Sequence, residues 1–333
     1  MYTGGKQGSD TRILVVRLGA MGDIIHTLPA VASLKHSFPG SHLTWAVEPQ
    51  WAPLLEENPF IDRVAMLRRS SPGSILESCR DLRAERFDFV VDFQGLIKSA
   101  LLASVVRADR IFGFHYTQVR ERPAVLFYSN KVLSKAEHVV DRNLDLATAA
   151  GASSVLRAFP LPPGRPEGPL PEGSFVLACP LAGWSSKQWP LEFYARLGAR
   201  LREELGIPLV LDAPPSAAGM LAQVPGVLTR ASRLSGLIYA TRRATAVVGV
   251  DSGPLHLAAA LGKPGVGIFG PTDPARNGPY GGSITVLRSG QAVTSYKRHT
   301  RIDRSMHEIS PDRVFDSLKS LLICRTSSAG CLV

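Results

Sequence analysis

A chain of 333 residues, 45% of them hydrophobic and 20% charged, carries enough apolar material for one large core or two ordinary ones, which excludes a disordered segment or a minimal scaffold. Thirty-eight Lys and Arg against 28 Asp and Glu give a formal net charge of +10, which suits nucleotides, acidic sugars or anionic lipid surfaces as partners. Aromatics make up only 7% and do not interleave with basic residues, which argues against nucleic acid.

The opening MYTGGKQGSDTR is polar and lacks the apolar core of a signal peptide. From Arg12 to Val16 (RILVV) the chain then reads as a buried parallel strand. After a Gly turn, Ile24, Leu28, Val31 and Leu34 recur at helical spacing, which predicts a helix from Asp23 to Ser37. The alternation continues with a strand at His42 to Val47, a helix near Trp51 to Glu57 and a strand at Arg63 to Met66. A helix near Ser74 to Glu85 and a strand at Phe87 to Val91 follow. Such alternation predicts an α/β parallel sheet. A helix from Ala136 to Ala150 is closed by Gly151, a residue type that tolerates a left-handed cap.

PLPPGRPEGPLPEG, from Pro160 to Gly173, is too rich in Pro and Gly for a helix or a central strand, so 161–173 is read as a linker between domains 1–160 and 174–333. The second series consists of a strand at Phe175 to Cys179, a helix at Leu191 to Leu205 and a strand at Leu209 to Leu211. It goes on with a helix at Leu234 to Arg243, a strand at Ala246 to Val250, a helix at Pro254 to Leu261 and a strand at Val266 to Phe269. The most apolar stretch, Ala246 to Gly270, is interrupted by Asp251, His256 and Lys263, so a membrane span is not expected. Cys79, Cys179, Cys324 and Cys331 form no CxxC pair, which fits a reducing compartment, and the protein is expected to be soluble and cytoplasmic. Two doubly wound domains with parallel sheets would face across a cleft at the carboxyl ends of their strands.

Four segments carry candidate chemistry. In Leu18-Gly19-Ala20-Met21-Gly22-Asp23 the glycines do not follow GxGxxG, and an acid at the helix start would repel a phosphate. Asp23 reads either as a helix cap or as a general base. Trp184 to Pro190 (WSSKQWP) brings Ser185, Ser186 and Lys187 to a helix N-terminus, as an ordinary polar loop or as a cradle for phosphate oxygens. Val250 to Leu257 (VDSGPLHL) turns a buried strand into a helix, with amides around Ser252 and Gly253 able to face a diphosphate. There Asp251 reads as a cap and His256 as a core histidine unless a ligand engages them. Gly270 to Pro274 (GPTDP) ends a strand and offers the Thr272 hydroxyl. DxD and HExxH are both absent, so a departing diphosphate would be neutralised by Lys187 and helix amides rather than by a bound metal.

Together RLGAMGDIIHTLPA, VVDFQGLIKSA, SSKQWP, VDSGPLHLAAALGKP and FGPTDP resemble the ADP-heptose:lipopolysaccharide heptosyltransferases, glycosyltransferase family 9. Within that family the type I branch, heptosyltransferase I, is the most similar through Gln118 to Tyr128 and the Lys187 loop. The resemblance implies a GT-B fold of two Rossmann-like domains, the last helix, near Pro311 to Cys324, packing back toward the first. It implies inverting, metal-independent transfer of L-glycero-D-manno-heptose from ADP-heptose to the Kdo of the lipopolysaccharide inner core, with no cofactor.

By the same resemblance Asp23 is the catalytic base and Lys187 contacts the donor phosphates, with Ser185, Ser186, Ser252, Gly253 and Thr272 around them. Asp251 would contact the heptose, and His256 would lie on the helix against the diphosphate. Arg120 would bind the acceptor, and Arg68 and Arg69 would meet the acidic Kdo, for which an arginine fork is suited. A Kdo-lipid A type acceptor places the enzyme on the cytoplasmic face of the inner membrane, held there by its charge. The chain departs from the family pattern at Asp212 to Ala218 (DAPPSAA), which has no glutamate to grip the donor ribose. That departure keeps open another nucleotide-sugar donor or acceptor, or a degenerate nucleotide-binding protein.

Overall fold

The computed structural model describes residues 11–295 and 299–329, with side chains described up to Ile323. Most of the polar opening segment, the Cys324 side chain and Cys331 lie outside the described residues. Cys79 and Cys179 are free thiols. The chain divides into two compact units, Met1–Pro162 and Pro163–Val333.

The first unit runs β1 (Arg12–Val16), α1 (Met21–Ile25), α2 (Leu28–Ser37), β2 (His42–Val47), β3 (Arg63–Met66), α3 (Pro72–Arg83) and β4 (Arg86–Asp92). It continues through α4 (Ile97–Val105), β5 (Arg107–Phe114), β6 (Asn130–Val132) and α5 (Val139–Ala149). Its six strands are all parallel in the order β3-β2-β1-β4-β5-β6. Four residues of β1, Ile13 to Val16, are wholly buried, so the apolar run is covered on both sheet faces. Each such side chain contributes about 1.5–3 kcal/mol of burial.

The helix expected from Asp23 to Ser37 is instead two helices. Pro29 has no N–H to return to the Ile25 carbonyl, so the hydrogen-bond ladder stops and Thr27 caps a new helix. The side chain of Asn143 from α5 closes the break by donating to the His26 carbonyl at 3.0 Å. The helix expected near Trp51 to Glu57 is a 3-10 turn over Pro49–Leu54, because Pro53 cannot donate within an α-helix.

The second unit holds β7 (Val176–Cys179), α6 (Leu191–Leu205), β8 (Leu209–Ala213), α7 (Ala218–Leu221), β9 (Leu228–Ala231) and α8 (Leu234–Arg243). Then come β10 (Ala246–Val250), α9 (Gly253–Ala260), β11 (Gly265–Phe269), α10 (Pro274–Asn277), β12 (Ile284–Arg288), α11 (Arg304–His307) and α12 (Pro311–Ala329). The sheet order β12-β11-β10-β7-β8-β9, again all parallel, repeats the topology of the first unit. Gly206, at φ +66°, ends α6 in the left-handed conformation. Helix α12 packs on α6 and β11 through Val314, Phe315, Leu318 and Leu322.

The Pro/Gly-rich stretch forms no helix or strand, and from Pro163 on it belongs to the second unit. Arg165 donates its main-chain N–H to the Ser235 carbonyl at 3.2 Å, and Glu167 accepts the Arg233 N–H at 2.9 Å. Among the described residues no helix is long and apolar enough to cross a membrane.

Candidate functional site

Each sheet reverses its strand order once, between β1 and β4 in the first unit and between β7 and β10 in the second. At such a reversal the loops leaving neighbouring strands run in opposite directions and open a crevice at the carboxyl ends, where ligands of doubly wound sheets bind. Asp23 and Arg120 meet at the first of these places, and Lys187, Asp251 and His256 at the second.

In the first unit Asp23 stands in the first turn of α1, immediately past β1. Its Oδ2 lies 2.7 Å from Nη2 of Arg17, 3.6 Å from Nη2 of Arg120, and 3.4 Å from the Ala20 N–H that donates to it. Arg17 is the last residue before the turn and is buried, its guanidinium also donating to the Phe93 carbonyl. Burial pushes the Asp23 carboxyl up, but Arg17, then Arg120, with the Ala20 N–H, outweigh it and hold the group below the ordinary carboxylate range. Asp23 thus accepts from the N-cap backbone of α1, as its cap reading expected, while the two arginines add the opposite charges that keep the carboxylate ionised. Gly19 is required by proximity, since a Cβ there would sit 2.8 Å from Nε1 of Trp51.

The VVDFQGLIKSA segment supports this turn from β4 and α4. Asp92 is buried and accepts from the Tyr128 hydroxyl at 2.7 Å, the Gln94 N–H at 2.8 Å and the Ser99 hydroxyl at 2.8 Å. Burial nonetheless keeps its carboxyl above the usual value. Gln94 in turn accepts the Leu18 N–H at 2.8 Å, joining the β4 loop to the β1 loop. Gly95, at φ +66°, turns its carbonyl to receive the main-chain N–H groups of Arg120 and Glu121, both at 3.1 Å. Arg120 is thereby positioned by its backbone, its guanidinium 58% exposed.

Glu48, at the end of β2, gathers Arg69 at 2.7 Å and Lys98 at 3.5 Å. Arg68 is exposed, with its main-chain N–H on the Ser78 hydroxyl at 3.2 Å. Among the described residues no contact brings the Arg68 guanidinium to Asp23 or Glu48. The sequence reading missed Arg17, Glu48, Lys98 and Asp92. A charged residue directly after a buried apolar run, Arg17 after Ile13 to Val16 and Asp92 after Phe89 to Val91, was the available signal.

In the second unit the WSSKQWP loop leaves β7 and forms a 3-10 turn over Ser185–Lys187. Nζ of Lys187 lies 2.6 Å from Oδ2 of Asp251, and Nε2 of His256 lies 3.5 Å from Oδ1 of the same carboxylate. Lys187 also stacks over the Trp184 ring at 4.5 Å. Burial pushes the Asp251 carboxyl up, but His256 and Lys187 together hold it far below the ordinary range. Ser252, not Asp251, is the N-cap of α9, so the cap reading of Asp251 gives way to an ion-paired one.

The Ser186 and Thr272 hydroxyls are buried and have no hydrogen-bond partner among the described residues. An orphaned buried hydroxyl costs about 1–3 kcal/mol, which an oxyanion ligand accepting from it would recover. With Lys187 and the Gly253 end of α9, these groups form a set of donors suited to phosphate oxygens. Gly270 permits the Thr272 loop to lie against α11, since a Cβ would meet Sδ of Met306 at 2.6 Å. Ser185 lies in the same 3-10 turn as Lys187. Among the described residues no three His, Cys, Asp or Glu side chains are grouped for a metal ion.

Asp212 lies at the end of β8, where the resemblance left ribose recognition open. Its carboxylate is buried and engaged by Arg230, itself buried, and by the Ser232 hydroxyl at 2.8 Å. The group is spent on holding β9 to β8.

Comparison with known proteins gives the same family from three directions. The profile of glycosyltransferase family 9 (heptosyltransferase) matches residues 75–306. Lipopolysaccharide heptosyltransferase 1 of Escherichia coli K12 is 31% identical over 305 residues, covering 84% of this chain and 93% of that protein. Lipopolysaccharide heptosyltransferase 1 of Pseudomonas aeruginosa is 32% identical, covering 94% and 98%. A solved structure of E. coli heptosyltransferase WaaC with ADP superimposes with a TM-score of 0.76 at 26% identity, covering 93% of this chain and all of that one. With two parallel α/β sheets of the same topology and these matches along most of its length, the chain belongs to glycosyltransferase family 9 and is an enzyme of the heptosyltransferase type.

Proposed function

We propose that this enzyme transfers L-glycero-D-manno-heptose from ADP-heptose to the Kdo of a lipopolysaccharide inner-core acceptor, with inversion and without a metal ion. The observation that carries the reading is Asp23, an ionised carboxylate clamped by buried Arg17 beside the exposed guanidinium of Arg120. In this mechanism the acceptor hydroxyl oxygen attacks the anomeric carbon of the heptose from the face opposite ADP. As that bond forms, the bond from the anomeric carbon to the diphosphate oxygen breaks, ADP leaves with the electron pair, and the hydroxyl proton passes to Asp23. A low-pKa carboxylate is a weak base but is fully ionised at neutral pH, so proton transfer must be concerted with an oxocarbenium-like transition state.

Charge on the departing ADP is met by Lys187, by the Ser186, Ser252 and Thr272 hydroxyls and by the Gly253 end of α9. Lys187 is poised for this because in the free protein it is held by Asp251, which in the complex would face the heptose. Arg120, Arg69, Arg68 and Lys98 supply cations for an acidic acceptor. Relatives named lipopolysaccharide heptosyltransferase 1 and the solved relative with ADP support this donor and acceptor. The acceptor is lipid-linked, which places the reaction on the cytoplasmic face of the inner membrane.

A second reading, transfer from another nucleotide sugar, is favoured by one observation: Asp212 is occupied by Arg230 and Ser232, and no glutamate follows it through Ala218. Calorimetric titration of ADP, UDP and GDP, each with Mg²⁺ and with EDTA, followed by ADP-heptose turnover on Kdo-lipid A, separates the two. The first reading expects tightest binding of ADP regardless of Mg²⁺ and turnover abolished in Asp23→Ala. Preference for UDP or GDP would replace the donor, and turnover dependent on Mg²⁺ would refute the metal-free mechanism.

A further inference from the structure

Helix α4 lies against β4, β5 and α3 and against the 3-10 turn Arg122–Phe127. Its inner face is made of Ser99, Ala100, Leu102 and Ala103, all buried. The opposite face carries Lys98 and Ser104 but is otherwise apolar, where a solvent-facing helix is normally polar throughout. Ile97, Leu101 and Val105, spaced four residues apart, are 37%, 44% and 38% exposed. Of the elements that neighbour α4, the 3-10 turn presents Leu126 at 80% exposure, and α3 presents Ile75 and Leu76 at 39% and 51%. Six large apolar side chains thus project from three neighbouring elements of one unit, more than scattered surface leucines account for.

The same segments are basic. Residues 66–83 and 96–127 together contain nine Lys or Arg against four Asp or Glu. Lys98, Arg107 and Arg122 flank the stripe along the chain, and Arg80 and Arg83 extend from α3. An apolar strip inside a cationic border matches an anionic bilayer, whose acyl boundary takes the apolar side chains while its headgroups pair with the cations. A protein partner would require a complementary acidic rim. Helix α4 also starts at the carboxyl edge of its sheet, where Lys98 reaches Glu48 and the Ile97 N–H donates to Glu121, next to Arg120.

We infer that the outer face of α4, with Leu126 and the start of α3, docks this enzyme onto an anionic bilayer surface and presents the Asp23 and Arg120 edge to a lipid-linked acceptor. The orientation, though not the docking itself, rests on the functional reading above. Docking follows the general rule that one apolar insertion and a few basic residues act together, neither sufficing alone.

The test is co-sedimentation of the full chain with vesicles of phosphatidylcholine alone and of phosphatidylcholine with about one quarter phosphatidylglycerol. The probes are Leu101→Asp, Leu126→Asp and Arg107→Glu, none of them in the reaction machinery. Circular dichroism melts confirm that each variant folds, and because all three positions are exposed, the midpoints are expected to stay near that of the parent. The expected result is partition into anionic but not neutral vesicles, weakened at least about ten-fold in Leu101→Asp and Leu126→Asp and made less salt-sensitive in Arg107→Glu. ADP binding is expected to be unchanged in all three. Equal partition of parent and variants overturns the proposal, as does equal binding to neutral and anionic vesicles. A dimer in sedimentation velocity that Leu101→Asp dissociates, without vesicle binding, overturns it in favour of a second copy of the chain as occupant. Loss of vesicle binding in the variants, combined with absence of heptose transfer by the parent, would sink the functional reading while leaving the docking face in place.

Discussion

Replacing Arg17 by methionine removes the nearer of the two cations that hold Asp23 ionised, and the consequence is calculable. Asp23 keeps 22% of its side-chain exposure and retains Arg120 at 3.6 Å, so the loss should fall below the 3–5 kcal/mol typical of a broken, fully buried pair; about 2–3 kcal/mol is expected. For a unit of this size that corresponds to a drop of about 4–12 °C in its melting temperature. The pH dependence identifies the cause. In the parent the folded state holds Asp23 below its unfolded value, so its contribution is complete above about pH 4 and is lost as pH falls through the folded value. The stability gap between parent and Arg17→Met should therefore close in acid. Burial then acts on Asp23 with less opposition, and the acidic limb of kcat/KM should move upward in pH. Arg17→Lys, which keeps the charge but not the fork, should restore most of the limb position. Urea titrations from pH 3 to pH 8, with rate profiles over the same range, check both effects. A stability gap independent of pH, or an acidic limb that does not move, would refute the assignment of Arg17 as the group that keeps Asp23 ionised.

Lys187→Gln should weaken ADP binding about ten- to hundred-fold, the worth of one charge-assisted hydrogen bond, and a change under about three-fold in calorimetry would remove Lys187 from the phosphate site. Asp212→Ala strands a buried guanidinium and should cost about 3–5 kcal/mol in urea unfolding, whereas the folded fraction should bind ADP as before; weakened ADP binding would return Asp212 to the ribose. Asp251→Asn should flatten the acid side of the second unit's stability, because the parent carboxylate stabilises above its unfolded value near pH 4 and loses that contribution as it protonates; parallel acid profiles for parent and variant would argue against the Lys187 and His256 pairing. Gly113→Ala would set a Cβ about 2.3 Å from the Tyr128 ring and displace that hydroxyl from Asp92, lowering stability by about 1–3 kcal/mol, and an unchanged melt would contradict the packing at that strand.

Elements that are apolar on both faces were readable from the chain alone. β1, β2 and β10 lie where the hydrophobic runs placed them, residue for residue, since burial on both sides of a parallel sheet leaves a continuous apolar signature; the amphipathic helices α6 and α8 and the partly exposed edge strand β3 also keep the bounds read for them. The strands that escaped notice, β6, β9 and β12, close the ends of their sheets and are short or half exposed, so their residues carry little of that signature. β5 escaped because Arg107, Asp109 and Arg110 interrupt its first half. Local chemistry also misled in two places: periodicity ran through Pro29 as though it could donate, and through Pro53 likewise.

The candidate residues divide in the same way. By itself the sequence determined where the candidate loops lie, because Gly, Ser, Lys and Asp directly after a buried strand are costly to keep there unless the backbone turns or a ligand is met. It thereby placed Asp23, Lys187, Asp251 and Thr272 at carboxyl ends of strands. Only the tertiary structure decided which charges face one another. Arg17 and Asp23 are close in sequence, but Arg120 reaches the same carboxylate from nearly a hundred residues away by way of Gly95, and Lys187 finds Asp251 across 64 positions. Tertiary structure likewise committed Asp212 to Arg230 rather than to a ligand. A side chain's type is local, whereas its ionisation and its partner depend on burial and distance, which exist only once strands far apart in the chain lie side by side.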